Sequence, residues 1–271
     1  MTTPTLWPAI LRQTQHALAC GALRPIATIE KTIEDAGVPF LVRQVSSVAR
    51  KEEARTMQKA APSNPFLPCD DNLVVADIGE RHILLLNKFN VIDHHLLIVT
   101  REFEPQQALL DAADFDALFA CLTQIDGLGF YNSSPEAGAS QPHKHLQIVP
   151  LPLGQSGRAL PIEPLLAAAC SGTVPGLPFA HAFARLDATG KNALEQYQAL
   201  VEPFQPMPYN LLCTRDWMLL VPRSVSQVED IAVNALGFAG SLFVRDEAQM
   251  RNVQRLGPMN VLRRAGIAPS R

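Results

Sequence analysis

The 271-residue sequence is poor in the features that sort many chains at a glance. No apolar run reaches the roughly 18 residues that span a bilayer, so no membrane helix and no membrane partner is expected. Basic charge is not in excess: 23 Lys and Arg face 26 Asp and Glu, a net charge of −3. A protein built to grip nucleic acid normally carries a basic footprint, so that class of partner is not expected either. The five cysteines (Cys20, Cys69, Cys121, Cys170, Cys213) stand far apart with no C-x-x-C pair. That spacing argues against a zinc ribbon or a redox dithiol, and reads as reduced thiols used as small core residues. The stretch Met1–Ile10 holds Pro4 and Pro8 and no basic segment before an apolar one, so no secretory signal is expected and the protein is read as cytoplasmic.

The hydrophobic share of 47% is ordinary for a folded chain and too high for a disordered one. Trp7, Ile10, Leu11 and Leu18 recur at helical spacing, with a stop at Gly21. Phe40–Val45 reads as a strand, and Val48–Pro68, broken by prolines, as a long loop. Leu73–Ile78, His82–Leu86 and His95–Val99 are short apolar runs bounded by turn residues, the pattern of buried strands. Gln106–Ile125 follows with helical periodicity, then Phe130–Pro150 returns to extended structure. The order β-β-β-α-β predicts an α+β fold with mainly antiparallel pairing. Residues 156–190, rich in Pro, Gly and Ala, read as a connecting region with one helical piece near Leu165–Ala169. Beyond it come a helix over Lys191–Leu200, a hairpin of Asn210–Thr214 with Trp217–Pro222, and a tail that is helical from about Gln227.

The chemistry concentrates in Phe130–Pro150. His143, His145 and Gln147 are two apart, so on a strand they share one face while Lys144, facing away, takes a surface or supporting role. Such a row can bind a metal through neutral imidazoles, or offer one imidazole as a nucleophile. A metal asks for three or four ligands, and His94 or His95 would have to supply one by folding back. The preceding loop, Ser133–Gln141, is built of small polar residues, and backbone N–H groups in such turns form concave anion sites. Loop and row together point to a polyphosphate held beside an imidazole.

The segment Gly138-Ala-Ser-Gln-Pro-His-Lys-His-Leu-Gln147 resembles the signature of the diadenosine tetraphosphate phosphorylases, also called ATP adenylyltransferases, in the transferase branch of the histidine triad superfamily. Asn64-Pro-Phe66, Leu86-Asn-Lys-Phe89, His95–Thr100, Phe130-Tyr-Asn132, Tyr209–Leu212, Val221–Ser224 and Asn234–Gly240 match further segments in the same order. The resemblance implies a histidine-triad-like antiparallel sheet with flanking helices and a C-terminal extension. Residues 1–155 would form the catalytic part and 191–271 the part that completes the nucleotide site, both in one compact enzyme. It implies that His145 attacks the α-phosphorus, that His143 orients the row, and that Gln147 hydrogen-bonds a phosphate oxygen. Asn132, Gly138, Ala139, Ser140 and Gln141 would hold phosphate and ribose, with Asn87 and Lys88 beside the nucleotide and Lys51 on phosphate. Asn234 and Gly240 match a nucleotide-contacting element, while Ser241 and Arg245 depart from the Met and Lys expected there.

The implied reaction is reversible phosphorolysis of diadenosine tetraphosphate to ATP and ADP through an AMP–histidine intermediate. The partners are then small molecules: the dinucleotide, ATP, ADP and phosphate. No covalently bound cofactor and no resident metal are implied; magnesium or another divalent cation would accompany the substrate. The alternatives are a sugar-phosphate nucleotidylyltransferase and a dinucleoside polyphosphate-binding protein without turnover.

Overall fold

The computed structural model describes residues 5–46, 64–154, 159–169 and 172–269. Its frame is an eight-stranded sheet in the order β3-β4-β5-β7-β6-β9-β10-β8. The strands are β3 (Val74–Ile78), β4 (His82–Leu86), β5 (Leu96–Thr100), β6 (Gly127–Asn132), β7 (His145–Pro150), β8 (Ala182–Arg185), β9 (Tyr209–Cys213) and β10 (Trp217–Pro222). Each pairing in it is antiparallel. β6 joins β9, so the strands on either side of the Pro- and Gly-rich stretch share one ladder.

Nearly every residue of the central strands is buried, because both faces of the sheet are covered. On one face, Leu84, Ile98, Leu146, Ile148, Leu211 and Leu220 pack against α1 (Leu6–Ala19), α2 (Ala112–Leu122) and, after the short α3 (Glu163–Leu166) in the chain, α4 (Ala193–Val201). Helix α2 starts at a capping box in which Asp111 and Asp114 each bond the other's main chain. Its Leu118 lies 2.7 Å from where a Cβ on Gly129 would sit, so only glycine lets helix and strand approach that closely.

On the other face, Leu128, Phe130, Val149, Leu212, Leu219 and Val221 meet a three-stranded sheet, ordered β1-β2-β13. There β1 (Thr28–Asp35) and β2 (Val38–Val45) form an antiparallel hairpin, and β13 (Ser241–Val244) joins β2 in parallel. Helices α6 (Glu247–Leu256) and α7 (Pro258–Ala265) pack on the same core. A separate apolar patch on the sheet face of Val149, formed by Phe66, Leu85, Leu97 and Val99, lies further out along the sheet. The polar row sits between that patch and the larger core.

Several sequence expectations need correcting. The helix expected over Gln106–Ile125 runs only from Ala112 to Leu122, because the stretch before it is tied to other strands. The tail is not helical from Gln227: it forms a turn of two short strands, β11 (Gln227–Val228) and β12 (Ile231–Ala232), a four-residue helix α5 (Ala235–Phe238) and β13 before helix resumes at Glu247. Gly240, at φ 93°, lets the chain reverse there and enter β13. Strands β1 and β8 were not expected; β1 is largely exposed and so lacks apolar alternation. Cys121 and Cys213 are buried, but Cys20 is exposed and Cys69 half-buried, so the cysteines are not uniformly core; Cys170 lies outside the described residues. No helix of the described residues is long and apolar enough to cross a membrane.

Candidate active site

The site is built where β7 begins. Strand geometry starts at His145, so the expected three-residue row is partly right: His145 and Gln147 share a face of β7, while His143 precedes the strand in an isolated bridge with Pro105. β7 lies between β5 and β6, pairing His145 with Val99 and Gln147 with both Leu97 and Phe130.

The hydrogen bonds fix the protonation of each imidazole. His145 Nδ1 lies 2.8 Å from the carbonyl of His143. A carbonyl only accepts, so Nδ1 carries the proton and Nε2 keeps its lone pair. Among the described residues no hydrogen bond engages that Nε2. His143 is held at both nitrogens: Nε2 donates to the Thr100 carbonyl at 2.9 Å, and Nδ1 accepts from Asn64 Nδ2 at 2.9 Å. Its ring is flanked by Phe66 and Phe103. His95, just before β5, accepts from Asn87 Nδ2 at 3.2 Å and donates to Gln147 Oε1 at 2.9 Å. That bond turns the Gln147 carboxamide so that its Nε2, a donor, has no partner among the described residues.

Burial keeps this row neutral. Desolvation pushes His145 and His95 down to about 4 and lowers His143. One unengaged imidazole nitrogen in a neutral row fits a nucleophile better than a metal cage, which needs three or four ligands.

The loop before β7 is a 3₁₀ turn over Pro135–Ala137, capped by the Ser134 hydroxyl and closed by Gly138 at φ 93°. A Cβ on Gly138 would lie 2.9 Å from the Val233 carbonyl, so glycine lets the loop press against Asn234. The expectation of a continuous N–H cradle needs trimming. The amides of Ala137, Gly138 and Ala139 are spent inside the turn, while the main-chain N–H groups of Ser140 and Gln141 have no partner among the described residues. Ser140 is exposed and Gln141 half-buried.

Asn132 and Asn234 meet at this loop. Asn132 Oδ1 accepts from Asn210 Nδ2 (2.8 Å) and from the main chain of Ala235 (2.9 Å), while Asn234 caps helix α5. Behind them lies a residue that sequence reading did not single out. The Arg223 guanidinium is fully buried and donates to Asn210 Oδ1 and to the carbonyls of Ala137, Val225, Val233 and Ala265. It has no carboxylate partner among the described residues, and desolvation pulls it down to about 10. It lies in Val221–Ser224, one of the segments that carry the family resemblance, but only the fold shows what it holds.

Lys144 does face away from the row, but it is not on the surface. Its Nζ is buried 2.5 Å from Asp114 Oδ2, 3.3 Å from Glu104 Oε2 and 3.1 Å from the Leu109 carbonyl. Asp114 also meets His82 Nε2 at 2.8 Å. Lys88 is half-buried beside Asn87, with no ion pair among the described residues. Arg245 is exposed past the end of β13, its amide bonded to Gln249, and none of its hydrogen bonds reaches the row. Ser241 is a buried acceptor for Arg43, which explains a small hydroxyl there. Lys51 lies outside the described residues.

An α+β sheet carrying a neutral histidine beside a tight, glycine-closed loop fits a nucleotidyltransferase. Residues 1–168 match the model of the Ap4A phosphorylase N-terminal domain, and residues 175–268 that of the ATP adenylyltransferase C-terminal domain. The chain belongs to the Ap4A phosphorylase family, Ap4A being diadenosine tetraphosphate. Diadenosine 5',5'''-P1,P4-tetraphosphate phosphorylase 2 of Saccharomyces cerevisiae is 29% identical to it over 263 residues, covering 79% of this chain and 78% of that protein. Crystal structures of yeast Ap4A phosphorylase Apa2 in complex with AMP and with Ap4A superpose with TM-scores of 0.83 and 0.82 at 25% identity. They cover 100% of this chain and 99% and 100% of theirs.

Proposed function

We propose that the protein catalyses the reversible phosphorolysis of diadenosine tetraphosphate in a histidine-triad type of mechanism, with His145 as the nucleophile. His145 Nε2 bonds to the α-phosphorus of one adenylate as the bridging oxygen to the β-phosphorus leaves with ATP. An oxygen of inorganic phosphate then attacks the same phosphorus, the P–N bond breaks, and the AMP group departs as ADP. One phosphoanhydride is exchanged for another, so the reaction runs readily in both directions. Splitting one displacement into two suits a neutral imidazole, and both leaving group and acceptor are phosphates that need no strong acid. Gln147, a carboxamide that cannot serve as an acid, matches that need.

The observation that carries the reading is the Nδ1–H bond from His145 to the His143 carbonyl at 2.8 Å, because it holds the reactive tautomer in place before substrate arrives. Around it, Gln147 Nε2 and the Ser140 and Gln141 amides are donors for phosphate oxygens. Asn132, Gly138, Ala139 and Asn234 form or brace the loop before the row and are assigned to phosphate and ribose; Asn87 bonds His95, and Lys88 and Lys51 are assigned to the nucleotide and its phosphates. We assign magnesium or another divalent cation to the polyphosphate, since the groups bonded to His145, Gln147 and Asn132 are amides, carbonyls and imidazoles. We place the protein in the cytoplasm, the setting in which five widely spaced cysteines with no C-x-x-C pair stay reduced.

Incubation with diadenosine tetraphosphate, with and without inorganic phosphate, tests the reaction. ATP and ADP in equal amounts, formed only with phosphate, are expected. AMP release independent of phosphate would make the protein a hydrolase instead, and a nucleotide-sugar turned over faster would move it to the sugar-phosphate branch.

A further inference from the structure

The ladder between β6 and β7 stops at the pair Phe130–Gln147. Carried two residues further it would place Asn132 opposite His145, the two residues on which the site is centred. The strands part there, and one side chain fills the opening. Gln106 Oε1 accepts the His145 main-chain N–H at 2.9 Å, and Gln106 Nε2 donates to the Asn132 carbonyl at 2.8 Å and, more weakly, to the His145 carbonyl at 3.3 Å. A carboxamide has the same donor and acceptor as a peptide unit, so Gln106 acts as an inserted piece of backbone between two strands.

Its own position is fixed from every side. Gln106 is fully buried. Its amide donates to the Pro142 carbonyl at 2.8 Å, and its carbonyl accepts from the Tyr131 hydroxyl. Two residues earlier, Lys144 N donates to the Glu104 carbonyl at 2.8 Å, so 104–106 runs antiparallel to 142–144 around the Pro105–His143 bridge. The histidine segment therefore changes partner at position 145, from the 104–106 segment to β6. Gln106 spans the change.

We infer that Gln106 is a positioning residue for the nucleophile: its carboxamide sets the spacing between the main chain of His145 and that of Asn132, and through Asn132 the phosphate loop. The inference rests on His145 being the nucleophile. An apolar side chain there would leave a buried N–H and carbonyl unpaired and let the strands close or drift, moving Nε2 against the bound phosphorus.

The test uses Gln106→Met and Gln106→Glu in the full chain, following single-turnover adenylylation and steady-state phosphorolysis per folded molecule. Gln106→Met is expected to lower kcat on the order of 10- to 100-fold, with KM for diadenosine tetraphosphate within about threefold. In Gln106→Glu a protonated carboxyl still accepts from His145 and donates to Asn132, whereas the ionised form cannot donate and sets a buried charge against the Asn132 and His145 carbonyls. Burial raises that carboxyl's pKa, so this variant is expected to work below about pH 6 and lose kcat as pH rises, a limb absent from the parent protein. Should Gln106→Met not fold, the Gln106→Glu profile decides alone. A Gln106→Met enzyme with parental kcat, or a Gln106→Glu profile parallel to the parent's, overturns the inference while the parent's turnover leaves the proposed reaction standing. A parent that forms no adenylylated histidine sinks both.

Discussion

Lys144 and His145 are neighbours in sequence and both are buried, yet strand alternation delivers them to opposite surroundings. On one face the lysine closes a charged cluster with Asp114 and Glu104, and Asp114 reaches on to His82. On the other face the histidine stands in a neutral row of imidazoles and carboxamides, in which His145 Nε2 and Gln147 Nε2 alone lack a hydrogen bond among the described residues. Charge anchors the segment to the capping box of α2, while neutrality keeps the nitrogen we propose as nucleophile unprotonated. The same burial that makes an unpaired ion costly holds an imidazole in its free-base form.

Removing the imidazole breaks the neutral side most sharply. His145→Ala is expected to lower phosphorolysis by at least about 10³-fold, as loss of a covalent nucleophile does, while its thermal melting stays near the parent's. A variant retaining near-parental turnover would contradict the assignment. On the charged side, Lys144→Met leaves Asp114 buried with its ion pair broken, which should cost about 3–5 kcal/mol of stability in urea unfolding. Turnover per folded molecule should fall by less than roughly tenfold, because the lysine touches no reacting atom; a collapse of turnover with unchanged stability would reverse the contrast.

Titration sharpens it further. His145 and His95 sit at about 4 in the folded protein, below the ordinary value near 6.5 of an unfolded chain. The unfolded state therefore takes up protons first as pH falls. Stability is complete above about 6.5 and declines toward 4, by about 2 kcal/mol per histidine at pH 5. Adenylylation by diadenosine tetraphosphate, measured without phosphate, should hold its rate down to about pH 5. A rate that halves near 6.5 would mean the imidazole is solvated and the row is not what burial makes it. The smallest effect is expected at Arg245, exposed past β13: Arg245→Ala should change KM by less than about threefold.

Much of the sheet was legible because buried strands advertise themselves. β3, β4, β5, β9 and β10 are short apolar runs between turn residues, and each falls within a residue or so of its expected bounds. The helix over 106–111 failed for a reason that periodicity cannot carry: Gln106 and its neighbours satisfy their backbone groups against Pro142, Lys144 and Tyr131, contacts about 25 to 40 residues away. The tail misled in the same way, since Val228, Ile231 and Leu236 are buried by β2 and α7 rather than along one helix face. Within the site, the His-x-His-x-Gln spacing placed His145 and Gln147 correctly on one face. It could not tell that His143 leaves the strand, that Lys144 is sealed among carboxylates, or that Arg223 and Gln106 stand behind the loop. Those are long-range facts, made by hydrogen bonds between segments far apart in the chain.

The most direct test of the account is to mix the protein with diadenosine tetraphosphate labelled at the α-phosphorus, without inorganic phosphate, and to quench and digest it. An acid-labile adenylyl group on the peptide containing His145, discharged as ADP when phosphate is added, is the predicted result. Turnover in the presence of phosphate with no label ever found on that peptide, or with label on another residue, would contradict it.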